Sequence, residues 1–170
     1  MATQGQSANA TLRPSQAAYA ALLFYEHQRM TYYNDSHNGN CTYGVGTLVH
    51  RGPCTPEELR RTVTREQVTA SLDARVNEAA GAVRRAVSNR QLTQAQFDAL
   101  VTYTYNRGAT GAHPVLHAAN QGNDVAVVSI MNRNIHQHQR DPGSRHVRSI
   151  VMPGLVQRRL QESAPFRPQR

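Results

Sequence analysis

Val68, Leu72, Val76, Ala79, Val83 and Val87 recur at three- and four-residue steps, with Arg, Glu and Asn between them. That period puts the apolar side chains on one stripe and predicts a long amphipathic helix from Thr64 onward. LTQAQFDALVTYTYNRG predicts a second helix, starting at Thr93 and stopping at Gly108, a residue suited to a C-terminal cap. Nearer the start, Ser15 after Pro14 is a good N-cap. Ala18, Leu22, Tyr25 and Arg29 follow at helical spacing, so a helix is expected over about 15–29, with Glu26 in its last turn. AHPVLHAANQG and NDVAVVSIMNRN predict short helices, and HQHQRDPGSRHVR a polar loop. PGLVQRRLQESAPF predicts a last helix, entered at Pro153 and ended near Pro165. Met131 and Phe97 read as core.

Residues 30–50 change character. Thr31, Tyr32 and Tyr33, then Thr42, Tyr43 and Val45, then Thr47, Leu48 and Val49 are strand formers. They flank a polar stretch holding Asn38-Gly39, a strong hairpin signal. A small antiparallel sheet is expected from about 31 to 50. Thr55 and Pro56 then open another helix. The order predicts an α+β, mainly α fold, with the sheet confined to one lobe and a cleft between it and the helical lobe. The expected organisation is a flexible tail or linker remnant over 1–13 and one domain over 14–165. Its sheet lobe covers about 30–55 and its helical lobe about 56–165; a short tail covers 166–170.

Composition adds a partner class. Lys is absent, so all 19 basic residues are Arg, and the net charge is +8. Arg keeps its proton and offers a planar fork to anions. Such a chain is drawn to polyanions, whether nucleic acid, anionic lipid or anionic cell wall. Hydrophobic residues at 39% allow a modest core, supplied largely by Ala and Val since Trp is absent. No run approaches the roughly 18 apolar residues of a membrane span. The opening residues lack the basic start and apolar stretch of a secretory signal.

Glu26 and Asp35, nine positions apart, are the acids of the helix–sheet junction. Glycosidic cleavage needs a proton donor on one side of the bond and a base or nucleophile on the other. The plainer reading is a solvated helix residue and an Asx-turn, and spacing alone leaves it the stronger one. Glu26 lies at a helix end among Leu22, Phe24 and Tyr25, and Asp35 in a hydrated turn. Such unlike surroundings suit an acid and a base.

The residues around the pair shift the balance. Glu26, Asp35 and the run TYGVGT beginning at Thr42 resemble the phage-type lysozymes, the endolysin muramidases of glycoside hydrolase family 24. LTQAQFDALVTYTYNRG and GLVQRRLQE are similar to two further segments of that family. The resemblance spans about residues 15–163. It implies a lysozyme-like fold, a small antiparallel sheet lobe and a larger helical lobe flanking a cleft. It implies cleavage of the β-1,4 bond between N-acetylmuramic acid and N-acetylglucosamine in peptidoglycan. Glu26 would be the general acid, and Asp35 and Thr42 would activate a water, with inversion. Tyr33, the aromatic shortly before Asp35, and Asn106 and Gln96 are expected to bind substrate. His50, with His27, is expected to line the cleft or bond Asp35. Three features depart from the family pattern. His27 stands where Gly is usual, the loop between Asp35 and Thr42 is one residue longer, and Thr47 replaces a His.

Cys41 and Cys54 flank one hairpin. They are either disulfide partners that brace the Thr42 strand or two unpaired thiols of a reducing compartment. His136 and His138 offer a ligand pair with no third ligand at suitable spacing, and no metal or cofactor is expected. Arg158 and Arg159 either pack the last helix or meet wall carboxylates. Rival functions are a lytic transglycosylase, a wall-binding module that has lost catalysis, and, more distantly, a nucleic-acid binder. A monomer is expected, made in the cytoplasm and reaching the wall or periplasm by holin release, lysis or secretion. A delivered toxin would also be expected to have an immunity protein that plugs the cleft.

Overall fold

Thr64 and Thr93 cap the two helices that make the core. Thr64 Oγ1 accepts the Gln67 N–H at 3.2 Å while Gln67 Oε1 accepts the Thr64 N–H at 2.9 Å. Thr93 and Gln96 make the same reciprocal pair at 3.2 Å each way. Each pair satisfies two backbone donors that a bare helix end leaves orphaned. The helices so started are α3 (Arg65–Ala86) and α4 (Gln94–Asn120). The computed structural model describes residues 8–26, 28–35, 39–140 and 147–168, with the side chains of all but 138–140. His27, residues 36–38 with Asn38 of the expected turn, and both chain ends beyond these limits lie outside the described residues.

The other elements are α1 (Gln16–Tyr25), β1 (Arg29–Asn34), β2 (Cys41–Gly44), β3 (Thr47–His50), α2 (Pro56–Leu59) and α5 (Asp124–Arg133). They are followed by β4 (His136–Arg140), β5 (Val147–Val151), α6 (Pro153–Ser163) and a 3-10 turn, Ala164–Phe166. Strands β1, β2 and β3 form an antiparallel sheet in that order. The entire predicted stripe of α3 is buried, packed with Phe97, Leu100, Tyr103, Leu116, Val127 and Met131. The fold class is the α+β, mainly α arrangement expected.

Gly108 interrupts α4 with φ 69°, ψ 162°. A side chain is strained at that positive φ, so the expected stop is a kink, and the next run continues as the second half of the same element. Two residues of the α4 motif serve the fold. Asp98 is buried and accepts the Ser15 backbone N–H at 3.1 Å and the Ser15 hydroxyl at 2.5 Å, fixing the start of α1. Gln96, expected at the cleft, caps its own helix and donates to Pro165 O at 3.3 Å. It is buried at the wrong end of α4 to reach substrate.

Three further expectations are corrected. Helix α1 ends at Tyr25, and Glu26 is its C-cap in extended geometry (φ −102°, ψ 115°), because the chain turns at once into β1. The polar loop after α5 is a second hairpin, β4 with β5, in register from His136↔Val151 to Arg140↔Val147. Among its described side chains Val147, Ile150 and Val151 are exposed, and HQHQR is polar throughout, so no hydrophobic alternation marks it.

The tail expected over 1–13 is docked from Ala8 onward. Asn9 is fully buried. Its amide donates to Val87 O at 2.7 Å and Arg90 O at 2.8 Å, and its carbonyl accepts the Leu92 N–H at 2.8 Å. One side chain thus closes the α3–α4 loop. Asn9→Ala leaves three buried backbone groups without partners and is expected to lower stability by roughly 2–3 kcal/mol. Urea denaturation with an unchanged slope and a lower midpoint would bear this out.

Candidate active site

Glu26 leaves the end of α1 and meets α6. Its Oε1 accepts from Arg158 Nη1 at 2.8 Å. Arg158 is buried and each of its three nitrogens donates: Nε also to Glu162 Oε1 at 2.9 Å and Nη2 to Thr102 O at 3.2 Å. Burial alone would lower the Arg158 pKa, but the Glu162 and Glu26 carboxylates outweigh it and raise it. Arg159 continues the network to the other oxygen of Glu162, to Asn106 Oδ1 and, at 3.1 Å, to Asn134 O. The pair Arg158–Arg159 is therefore neither surface charge nor simple packing. It is a buried scaffold that fixes one carboxylate at a groove.

That groove encloses about 500 Å³ and is bordered by Glu26, Asn106, Arg107, His136, Gln137 and Arg158. Asn106 thus lies where the sequence placed it. The unexpected β4–β5 hairpin supplies His136 and Gln137 to the rim. Of the apolar residues expected around Glu26, Phe24 is 77% exposed; the carboxylate pairs with a guanidinium, and Tyr25, Met152 and Leu155 share its groove.

The sheet brings the other candidates together. Tyr33 lies opposite Thr42 in the β1–β2 register. Asp35 follows directly on β1, which ends at Asn34. The Asp35 N–H and the Thr42 hydroxyl share one acceptor, Asn40 O, at 2.9 and 3.0 Å. The Gly39 N–H bonds Asp35 O at 2.8 Å and closes the turn. The loop is closed at its base by these bonds, and Thr42 pairs with Tyr33. Burial raises the Tyr33 pKa, an N–H from Gly46 lowers it, and the carboxylates of Asp35 and Glu26 both push it up. Tyr33 is thus within electrostatic reach of both acids.

Tyr105 on α4 is the residue that joins the lobes. Its hydroxyl donates to Val45 O at 3.0 Å, and Arg75 donates to the same oxygen at 2.6 Å while stacking 4.2 Å from the Tyr105 ring. Burial pushes the Tyr105 pKa up to about 12. Gly44 lets this turn approach α3: a Cβ there would sit 3.3 Å from Val68, at φ 61°. Thr47, in place of the family's His, bonds Ser71 Oγ at 3.0 Å.

His50 does not bond Asp35 as expected. Its Nε2 lies 3.1 Å from both Glu58 oxygens and its Nδ1 3.0 Å from Arg51 O. The question left open at Cys41 and Cys54 is answered by a disulfide, with 4.5 Å between the Cα atoms. Arg158, Arg159 and Tyr105 were not foreseen as site residues. The available signal was RRLQE, in which Glu162 stands at i+4 from Arg158 and i+3 from Arg159 on one helix.

Two outcomes are expected from these contacts. Arg158→Ala strands Glu26 and breaks the pairing with Glu162, and is expected to cost about 3–5 kcal/mol in urea denaturation. The His50–Glu58 pair makes stability depend on pH. The Arg51 carbonyl and then Glu58 raise the His50 pKa, and the Thr55 N–H and then His50 lower that of Glu58. The His50 contribution is complete below 6.5 and lost as pH rises through the raised value. The Glu58 contribution is complete above 4.5 and lost as pH falls through the lowered value. The stability difference between wild type and His50→Asn is therefore expected to be largest between pH 4.5 and 6.5 and to shrink above neutrality.

The sequence matches the model of the family described as phage lysozyme over residues 24–162. A search of curated protein sequences returns no significant match. Among solved structures, the fold is similar to the endolysin from Escherichia coli O157:H7 phage FAHEc1, with 28% identity and TM-score 0.72, covering 92% of this chain and 94% of that one. It is also similar to the muramidase domain of SpmX from Asticaccaulis excentricus (24%, TM-score 0.71, covering 93% and 99%). A third likeness is to the active form of P1 phage endolysin Lyz (18%, TM-score 0.68, covering 93% and 86%). With a family match over most of its length and an endolysin fold around Glu26, the chain belongs to the phage lysozyme family.

Proposed function

We propose that this protein is an N-acetylmuramidase that cuts the β-1,4 bond between N-acetylmuramic acid and N-acetylglucosamine by inversion. Family membership supports a glycosidase acting on the peptidoglycan of the cell wall. The finer reading is supported by Tyr33, which pairs with Thr42 across β1 and β2 and feels the charge of both Asp35 and Glu26.

Glu26 Oε1 is held by Arg158, which leaves Oε2 to give a proton to the leaving oxygen. The Thr42 hydroxyl gives its own proton to Asn40 O and so meets a water as an acceptor. Asp35, tied to the same Asn40 carbonyl, is the base that takes the second proton as the water attacks the anomeric carbon. Asn106, oriented by Arg159, offers its amide N–H groups to sugar acetamido or hydroxyl oxygens at the groove.

Digestion of purified peptidoglycan tests this directly. Wild type is expected to release fragments with reducing muramic ends. Glu26→Gln, which keeps Arg158 paired with Glu162, is expected to fold normally and lose about 10²–10⁴ in rate. Products ending in 1,6-anhydromuramic acid, or unchanged activity in Glu26→Gln, would overturn the assignment. Anomer analysis of the first product reports inversion or retention.

A further inference from the structure

The Cys41–Cys54 bridge has two other ligand-type side chains beside it. His50 faces Cys41 across the β2–β3 register, and Glu58 comes from the capping turn of α2. Cys41 Sγ, His50 Nε2 and a Glu58 oxygen all lie within 4.8 Å of one another. Cys41 Sγ is 3.8 Å from Glu58 Oε2. Cys54 Sγ is bonded to Cys41 Sγ and so adjoins this cluster, 3.4 Å from Tyr33 O. A disulfide sulfur carries neither proton nor charge, so the bridge itself makes no use of an imidazole and a carboxylate there.

A second observation points to a ligand. His50 Nδ1 lies 3.0 Å from Arg51 O, so its N–H is directed to a backbone carbonyl and Nε2 is turned toward the sulfur–carboxylate cluster. Metal-bound histidines are oriented in this way. Glu58 is fixed too: its Oε2 accepts the Thr55 N–H at 2.7 Å, and its other oxygen retains free lone pairs.

We propose that, when Cys41–Cys54 is reduced, Cys41, Cys54, His50 and Glu58 bind one zinc ion. The reductant is a dithiol. By thiol–disulfide exchange it gives two electrons and two protons to the bridge, leaving two protein thiols and its own disulfide. Zinc then displaces both thiol protons and the proton shared by His50 and Glu58, forming two Zn–S bonds, one Zn–N and one Zn–O. Zn–S bonds of about 2.3 Å in a tetrahedron require the sulfurs to separate to roughly 3.7 Å. Rotation about the two Cα–Cβ bonds supplies that opening. Two thiolates with an imidazole suit zinc and disfavour hard cations such as calcium. The same junction, 13 residues apart in sequence, would then be closed by metal under reducing conditions and by sulfur under oxidising ones. The proposal is independent of the reaction catalysed.

The test uses the full chain, reduced with dithiothreitol, exchanged into metal-free buffer without oxygen, and titrated with cobalt and then zinc. Expected are the visible bands of tetrahedral cobalt and a thiolate charge-transfer band, saturating at one equivalent and bleached by one equivalent of zinc. His50→Ala and Glu58→Gln are each expected to weaken zinc at least tenfold or so. Absence of the thiolate band in reduced wild type would overturn the proposal. So would unchanged affinity in both variants, which would mean a bare dithiol chelate, or the same spectrum from the oxidised protein. If the reduced, metal-free chain is unfolded by circular dichroism, refolding on stoichiometric zinc supports the site, and failure to refold overturns it.

Discussion

The guanidinium of Arg158 is the constraint around which the catalytic lobe is arranged. It is 4% exposed and cannot be neutralised, so every donor must find an acceptor inside the protein. Glu162 on its own helix, Thr102 O on α4 and Glu26 at the end of α1 supply them. A buried ion pair is weak evidence for stability, since desolvation offsets most of its attraction. Its value here is geometric. Three segments are held to one planar group, and the carboxylate at the groove edge is positioned by a side chain anchored to Glu162 and Thr102. Arg159 extends the same logic to Asn106 and Asn134.

The sheet lobe is held by a second, smaller device. Val45 O receives both Tyr105 and Arg75, and Gly44 allows the turn to sit against Val68. With that turn pinned to the helical lobe, β2 has a fixed origin, and pairing with β1 sets Thr42 against Tyr33. The Asp35 N–H bonds Asn40 O, so the loop between them is closed at its base. The disulfide acts at the far side of the same strand, through Cys41, next to Thr42. Thr42 is thus bracketed along its strand by a covalent bond on one side and the Val45 anchor on the other.

What the sequence made legible was what short-range chemistry encodes. The caps at Ser15 and Thr55, the helix starts at Thr64 and Thr93 and the apolar stripe of α3 all appear where they were expected. What it hid were contacts between distant segments. Asn9 reads as one more polar residue of a loose tail until Val87, Arg90 and Leu92 surround it. Gln96 reads as a cleft residue on a family helix, yet its capping partner lies three residues away and decides its place. The β4–β5 hairpin leaves Val147, Ile150 and Val151 exposed, and HQHQR is polar throughout, so a rule built on hydrophobic alternation has nothing to register. At the site, Glu26, Asp35 and Thr42 were named because of three ordered family segments. The arginine that holds Glu26 was visible only as charge.

That charge divides into two populations with different jobs. Glu26 and Glu162 are tied to Arg158 and Arg159, Asp124 to Arg90, Glu58 to His50, and Asp98 to Ser15. Much of the small acidic complement is therefore spent inside the protein. Arg29, Arg51, Arg60, Arg61, Arg65, Arg85 and Arg107 stand exposed, and carry much of the net +8 at the surface. Salt screens exposed charges over roughly 8–10 Å near physiological strength and reaches buried pairs far less. Attraction to an anionic wall and the geometry of the site consequently respond to different variables. Ionic strength tunes the first through encounter rate, while the second, sealed around Arg158, is left as folding made it.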